Sequence, residues 1–307
     1  MNPNHPAMIK RTLYFGNPAY LSVQNKQLIF KDPKEKDTPI KATIPIEDIG
    51  MVVLDHPQIT ISHTTITELM SNNAALLVCN SSHMPQTLAL PLHANDTYSQ
   101  KVRYQMEASE PLKKQLWKQT VSAKIYNQSR VLHQLGMPSK RMDRMYKQVN
   151  SGDPENYEAQ AAAIYWDRLL NDYDVTRGRF DGGPNALFNY GYAILRSVIA
   201  RSLVASGCLP VLGIHHQNKY NPYCLADDIM EPYRPIIDLY IMKYLKIRII
   251  ENDELSKEDK IYLLKIPALD VIINGKSSPL MVGSQRTTSS LMKCFTGELR
   301  KIQYPQL

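Results

Sequence analysis

The feature that most constrains this chain is a change of period close to His93. Before it, short β-branched and aromatic runs alternate with turn residues. After it, apolar residues recur at helical spacing. One core face cannot serve both periods, so the chain divides. The expected fold is α+β: an N-terminal β-sandwich domain over residues 1–92, then a larger all-α helical domain over 93–307. A length of 307 residues accommodates two such units, and 43% hydrophobic residues can fill their cores.

The first part predicts strands at Thr12 to Phe15, Thr43 to Ile46, Met51 to Leu54, Gln58 to Ile61, Ala75 to Cys79 and Leu88 to Leu92, with a short helix at Thr64 to Met70. A hairpin turns at Asn25-Lys26 between Tyr20 and Phe30. The second part predicts a helix opening at Ser109-Glu110-Pro111 and running to about Leu135, ahead of Gly136 and Pro138. Others cover Asn156 to Leu170, Asn185 to Ser206 closed by Gly207, and Ala226 to Lys246 broken at Pro232 and Pro235. Asn274-Gly275 between apolar runs predicts a second hairpin. The Gly275-Lys276-Ser277 triplet lacks the earlier glycine of a phosphate loop, since Asp270 stands there.

No cysteine pair has Cys-x-x-Cys spacing, so neither a structural zinc site nor a disulfide framework is expected. The N-terminus lacks the pattern of a secretion signal, and no apolar run is long enough to cross a bilayer. The expected compartment is cytoplasmic.

The net charge of +7 suits a polyanionic partner. It is concentrated between Lys101 and Lys147, where eleven basic residues face only Glu107, Glu110 and Asp143. Lys113, Lys114, Lys118, Lys124, Arg130, Lys140, Arg141 and Arg144 are the candidate phosphate contacts, with Tyr104, Trp117, Tyr126 and Tyr146 interleaved. A solvated helix face explains the same composition equally well.

Three short segments carry potential metal ligands. Glu158 opens an alanine-rich helix, where it could equally complement the helix dipole. His215 and His216 lie in a loop after the Asn185 helix. Asp228 and Glu231 are three apart, on one helical face. Carboxylates with an imidazole suit a hard divalent ion, Mg2+ or Mn2+, and such an ion beside a basic surface suits phosphodiester chemistry.

These segments also carry a family likeness. Glu158, Ala161, Ala162, Tyr165 and Trp166 are followed by Asn185-Ala186-Leu187 and Gly191-Tyr192-Ala193, then by Pro210, Gly213 and His216, then by Asp228, Glu231, Arg234 and Pro235. In this order and spacing the chain resembles the CRISPR-associated integrase family, the larger of the two proteins shared by CRISPR adaptation modules, over nearly its whole length. Ala159 stands where the family commonly has glycine, and the His216–Asp228 linker is longer than in the commonest pattern. The segment from Asn221 to Pro235 is similar to the type II subset.

The resemblance implies that Glu158, His216 and Glu231 hold the metal and act in catalysis, with Asp228 either supporting a ligand from behind or serving as an auxiliary ligand. His215 then packs or touches DNA. Tyr165 and Asn189 become candidates for positioning DNA or ligands, although helix packing explains them as well. The implied activity is a bacterial, Mg2+- or Mn2+-dependent DNA endonuclease and integrase that inserts captured fragments into a CRISPR array. The implied partners are double-stranded DNA, a second copy joined through the β domain, a smaller adaptation protein and type II effector proteins. The alternatives are a non-catalytic DNA-binding scaffold and another divalent-metal phosphoesterase.

Overall fold

The computed structural model describes residues 10–33, 42–92, 96–173, 177, 183–248 and 254–307. The chain divides into two units, Met1–Asp96 and Thr97–Leu307. The period change at His93 itself lies outside the described residues.

The first unit contains β1 (Arg11–Phe15), β2 (Ala19–Gln24), β3 (Gln27–Lys31), β4 (Ala42–Pro45), β5 (Ile49–Leu54), β6 (Ile59–Ile61), helix α1 (His63–Ser71), β7 (Ala75–Cys79) and β8 (Pro85–Ala89). Asn25 and Lys26 both adopt positive φ, the geometry that lets a two-residue turn join β2 to β3. The sheets run β4-β3-β2-β6 and β1-β5-β7-β8. Residues from both, with Leu69 of α1, bury one shared core that includes Leu21, Leu28, Ile49, Val52 and Leu76. The sandwich is therefore present but mixed, because β1–β5, β5–β7 and β2–β6 pair in parallel.

The last strand differs from expectation. The run Leu88 to Leu92 is the strand expected from sequence, yet β8 spans Pro85–Ala89. Its register is set by the turn from β7: the Asn80 side chain accepts from the Ser82 and Met84 amides, fixing which residues meet Cys79 and Val78.

The second unit contains α2 (Tyr98–Met106), α3 (Glu110–Gln134), α4 (Lys140–Gln148), α5 (Tyr157–Leu170), α6 (Pro184–Ser206), α7 (Cys224–Met230), α8 (Arg234–Leu245), α9 (Lys257–Leu263), a hairpin of β9 (Asp270–Ile273) and β10 (Lys276–Pro279), and α10 (Leu280–Phe295). The hairpin turns at Asn274-Gly275, so this unit is predominantly but not wholly helical. Ser109 caps α3 by accepting from the Leu112 amide, and Gly207 ends α6 with φ 86°. Helix α6 is buried on most faces and packs against α7, α8, α9 and α10. Ser202–Ser284 and Ser206–Thr288 hydroxyl pairs, each 2.8 Å, satisfy the polar groups where it meets α10. Among the described residues no helix is long and apolar enough to cross a membrane.

Candidate active site

The site begins at the start of α5. Asn156 caps the helix from a left-handed conformation with φ 55°, and its side chain accepts from the Ala159 amide. The Asp153 carboxylate accepts from the Tyr157 and Glu158 amides at 2.9 Å each. Glu158 thus stands in the first turn, where the helix dipole favours its charge.

Glu231 comes from a break in the chain. Pro232 and Pro235 remove two amide donors, and the helical run splits into α7, a single 3-10 turn over Glu231–Tyr233, and α8. The break places the Glu231 carboxylate among buried groups, where Arg234 Nε lies 3.0 Å from Oε1. The two carboxylates meet at Lys124 of α3. Its Nζ lies 2.8 Å from Glu158 Oε1 and 2.5 Å from Glu231 Oε2. Lys124 is only 8% exposed, so this is a buried ion cluster.

Electrostatics follow from burial and proximity. Burial disfavours the charged Lys124 ammonium, but Glu231 and Glu158 outweigh it and raise its pKa. Burial likewise disfavours the Glu231 carboxylate, yet Arg234 and then Lys124 bring it below the usual range.

The histidines occupy the loop between α6 and α7. Buried Gln105 of α2 braces this loop: its amide donates to the Leu209 and Leu212 carbonyls and accepts from the Leu209 amide. Asp228 of α7 is fully buried and accepts from the amides of Ile214, His215 and His216. It also meets His216 Nδ1 at 2.5 Å. Gly213 makes this approach feasible, since a Cβ there would sit 2.3 Å from the His216 carbonyl and 2.9 Å from Asp228 Oδ2.

The hydrogen bond to Asp228 raises the His216 pKa. Burial and then His216 lower that of His215, whose ring stacks on Trp117 at 4.1 Å. Trp117 also meets His216 edge-on at 5.5 Å. A cleft of about 370 Å³ opens beside His216, with Gln105, Lys113, Asn218, Cys224 and Phe295 in its wall.

Known proteins share this arrangement's family and fold. The family model described as CRISPR associated protein Cas1 matches residues 13–275. The chain belongs to that family. It is 33% identical over 304 residues to a CRISPR-associated endonuclease Cas1 of Neisseria meningitidis serogroup C (strain 8013), covering 98% of this chain and 97% of that one. In fold it is similar to a casposase bound to integration product, with a TM-score of 0.77, 20% identity, and 95% and 92% of the two chains covered. It also superposes on part of a Cas6-RT-Cas1--Cas2 complex, with a TM-score of 0.72 and 18% identity over 97% of this chain and 36% of that chain.

In this Cas1-family chain the residues singled out by sequence separate into groups. Glu158 and Glu231 share one cation, and His216 and Asp228 form a hydrogen-bonded pair whose imidazole feels both glutamates. As the side chains stand, no three His, Cys, Asp or Glu residues among those described converge on a metal position. The donor set nevertheless fits a hard divalent ion, because two carboxylates already gather round one positive charge.

Lys140, Arg141 and Arg144 are exposed on α4, whose opposite face buries Met142 and Met145. Lys114 is exposed, Lys118 is half-buried, and Lys113 pairs with Glu110 at 3.2 Å. Arg130 is turned onto Asp143, so its charge is largely spent within the protein. Lys124 is not a surface phosphate contact: it lies inside, on the carboxylates.

Tyr165 presents no surface to DNA, being fully buried with its hydroxyl donating to Asp238 at 2.9 Å. Packing with a satisfied polar tip is the reading that holds for it. Asn189 accepts from Arg177 at 2.8 Å, and that guanidinium lies over the rings of Trp166, Phe188 and Tyr192.

Sequence reasoning passed over the orienting roles of Asp153, Gln105 and Trp117, and the pairing of Lys124. One signal for Lys124 was available. It falls on the same stripe of α3 as Trp117 and Val121, which are buried, and a lysine on a buried stripe needs a partner.

Proposed function

We propose that this chain is a divalent-metal-dependent DNA endonuclease and integrase that inserts captured fragments into a CRISPR array. The 3′-hydroxyl of the fragment attacks a phosphodiester at the leader-repeat junction, forming a new 3′-oxygen–phosphorus bond as the bond from that phosphorus to the 3′-oxygen of the cut strand breaks, and that oxygen leaves as a hydroxyl. The observation that carries this reading is the gathering of Glu158 and Glu231, from separate elements, on one cation beside an imidazole oriented by buried Asp228. Two relatives support it: an endonuclease at 33% identity, and a casposase of the same fold solved on an integration product.

Glu158, Glu231 and His216 would hold Mg2+ or Mn2+, which when bound supplies positive charge to the oxygens about phosphorus. The protein's own part is orientation. Asp228, already accepting from three amides, accepts from the Nδ1–H of His216 as well and leaves Nε2 as the free donor atom. Arg234 holds Glu231 from the next helical turn. The exposed cations of α4 and the start of α3 track phosphates.

Duplex DNA, a second copy of this chain, the smaller adaptation protein and type II effector proteins are the partners we propose. The fold shared with part of one chain of a Cas6-RT-Cas1--Cas2 complex favours the small partner.

A non-catalytic scaffold has one observation in its favour: Lys124 already neutralises the two carboxylates, as it would in a purely structural network. Integration of a labelled fragment by Glu158→Ala and His216→Ala variants separates the two. The expected result is loss of integration in both, with duplex binding kept. Unchanged integration in both removes this mechanism.

A further inference from the structure

Lys124 is an unusual neighbour for a pair of metal-ligand candidates. Its ammonium is within ion-pair distance of Glu158 Oε1 and Glu231 Oε2, the same carboxylates that would take a metal. The two glutamates are already matched by basic side chains. Glu158 and Glu231 supply two negative charges, and Lys124 and Arg234 supply two positive ones.

Adding a divalent ion while Lys124 stays would set the dication and the ammonium against the same two carboxylates in a buried place, a costly arrangement. Removing the ammonium relieves that repulsion. The two basic residues are not equally free to leave. Arg234 is pinned, its guanidinium over the Tyr192 ring at 4.7 Å and its Nε on Glu231. Lys124 is a point charge on a flexible stem, and its partner Glu158 is 24% exposed, so the way out lies on the Glu158 side.

From this we infer that Lys124 is an internal counter-cation of the resting site, and that a divalent metal binds Glu158 and Glu231 only by displacing it. The inference rests on the metal reading proposed above and adds a competition to it. In the resting chain the ammonium keeps two carboxylates together that would otherwise repel. The apparent metal affinity is lowered by the fraction of molecules in which Lys124 holds the carboxylates.

The test uses the full chain and Mn2+ alone. Mn2+ binding is measured by calorimetry for the wild type, Lys124→Met, Glu158→Gln and Glu231→Gln. In parallel, wild-type lysines are methylated reductively with and without Mn2+, and the modified sites are read by mass spectrometry. Lys124→Met is expected to bind Mn2+ roughly tenfold or more tightly than wild type. Lys124 of the wild type is expected to be protected from methylation without Mn2+ and modified with it.

Equal or weaker binding by Lys124→Met overturns the competition. So does tighter binding with Lys124 still protected, because a general charge effect would not expose the amine. If Lys124→Met does not fold, the methylation contrast in the wild type decides alone. Mn2+ binding that survives unchanged in both Gln variants instead removes the metal reading itself.

Discussion

Asp228 shows how one residue can organise a site without facing solvent. It is fully buried, holds the loop amides of Ile214 to His216, and meets His216 Nδ1 at 2.5 Å. Its replacement by Asn keeps the shape but puts an amide NH2 where one oxygen accepted. Asp228→Asn is therefore expected to lower integration by roughly ten- to a hundredfold, the usual cost of losing the group that orients a ligating histidine. The far-UV circular dichroism spectrum should be unchanged. A wild-type rate would separate Asp228 from the work of His216. The spacing from Gly213 to His216, and from Asp228 to Glu231, was legible because each lies within one loop or one helical turn. The grip of Lys124 on Glu158 and Glu231 was not, since its partners arrive from α5 and from the break after α7. A local pattern reports which face a residue occupies, and long-range packing decides what it meets there.

At the scale of elements, a single carboxyl ties three helices together. Asp238 of α8 accepts from Tyr165 of α5 at 2.9 Å and also from Tyr192 of α6. Burial raises its pKa to about 7, against the pull of both tyrosine hydrogen bonds. The folded chain therefore keeps a proton that the unfolded chain releases at its ordinary value of 3.8. The stability this contributes is complete below the unfolded pKa. It declines as pH rises through the folded one, by at most about 1.4 kcal/mol per pH unit for one proton. Urea denaturation at pH 5 and pH 7.5 should show wild type losing stability relative to Asp238→Asn. A difference that does not change with pH would mean that this carboxyl does not titrate in that window. Elements themselves were well marked in the sequence wherever the signal was local: Ser109 before Pro111, Gly207 after α6, and the Asn25-Lys26 and Asn274-Gly275 turns all fall where the structure has them. The parallel pairings of β1 with β5 and β5 with β7 were not marked, because nothing in a strand's own residues names a distant partner. Nor was the start of β8, which the Asn80 turn determines.

At the scale of the whole molecule, the basic excess of the Lys101–Lys147 stretch becomes less uniform than composition suggests. Lys124 and Arg130 are committed to Glu158, Glu231 and Asp143, and Lys113 has Glu110 beside it. Lys140, Arg141 and Arg144 are exposed and outside any ion pair among the described residues. Cations that are free to release counterions from a duplex set the salt dependence of binding, whereas paired ones add little. Replacing these three together by alanine should therefore flatten the slope of log affinity against log salt by about 2 to 3, near 0.9 for each phosphate no longer neutralised. Unrelated duplex sequences should weaken alike, because groups that touch only phosphate carry no base information. The fold should be undisturbed, since the buried methionine face of α4 is left intact. Fluorescence anisotropy across a salt series, with several duplexes, measures both quantities. A slope equal to that of the wild type would move the duplex off α4 and onto cations elsewhere, with those at the start of α3 the first to examine. A slope that flattens for one sequence only would point to base recognition by these side chains instead.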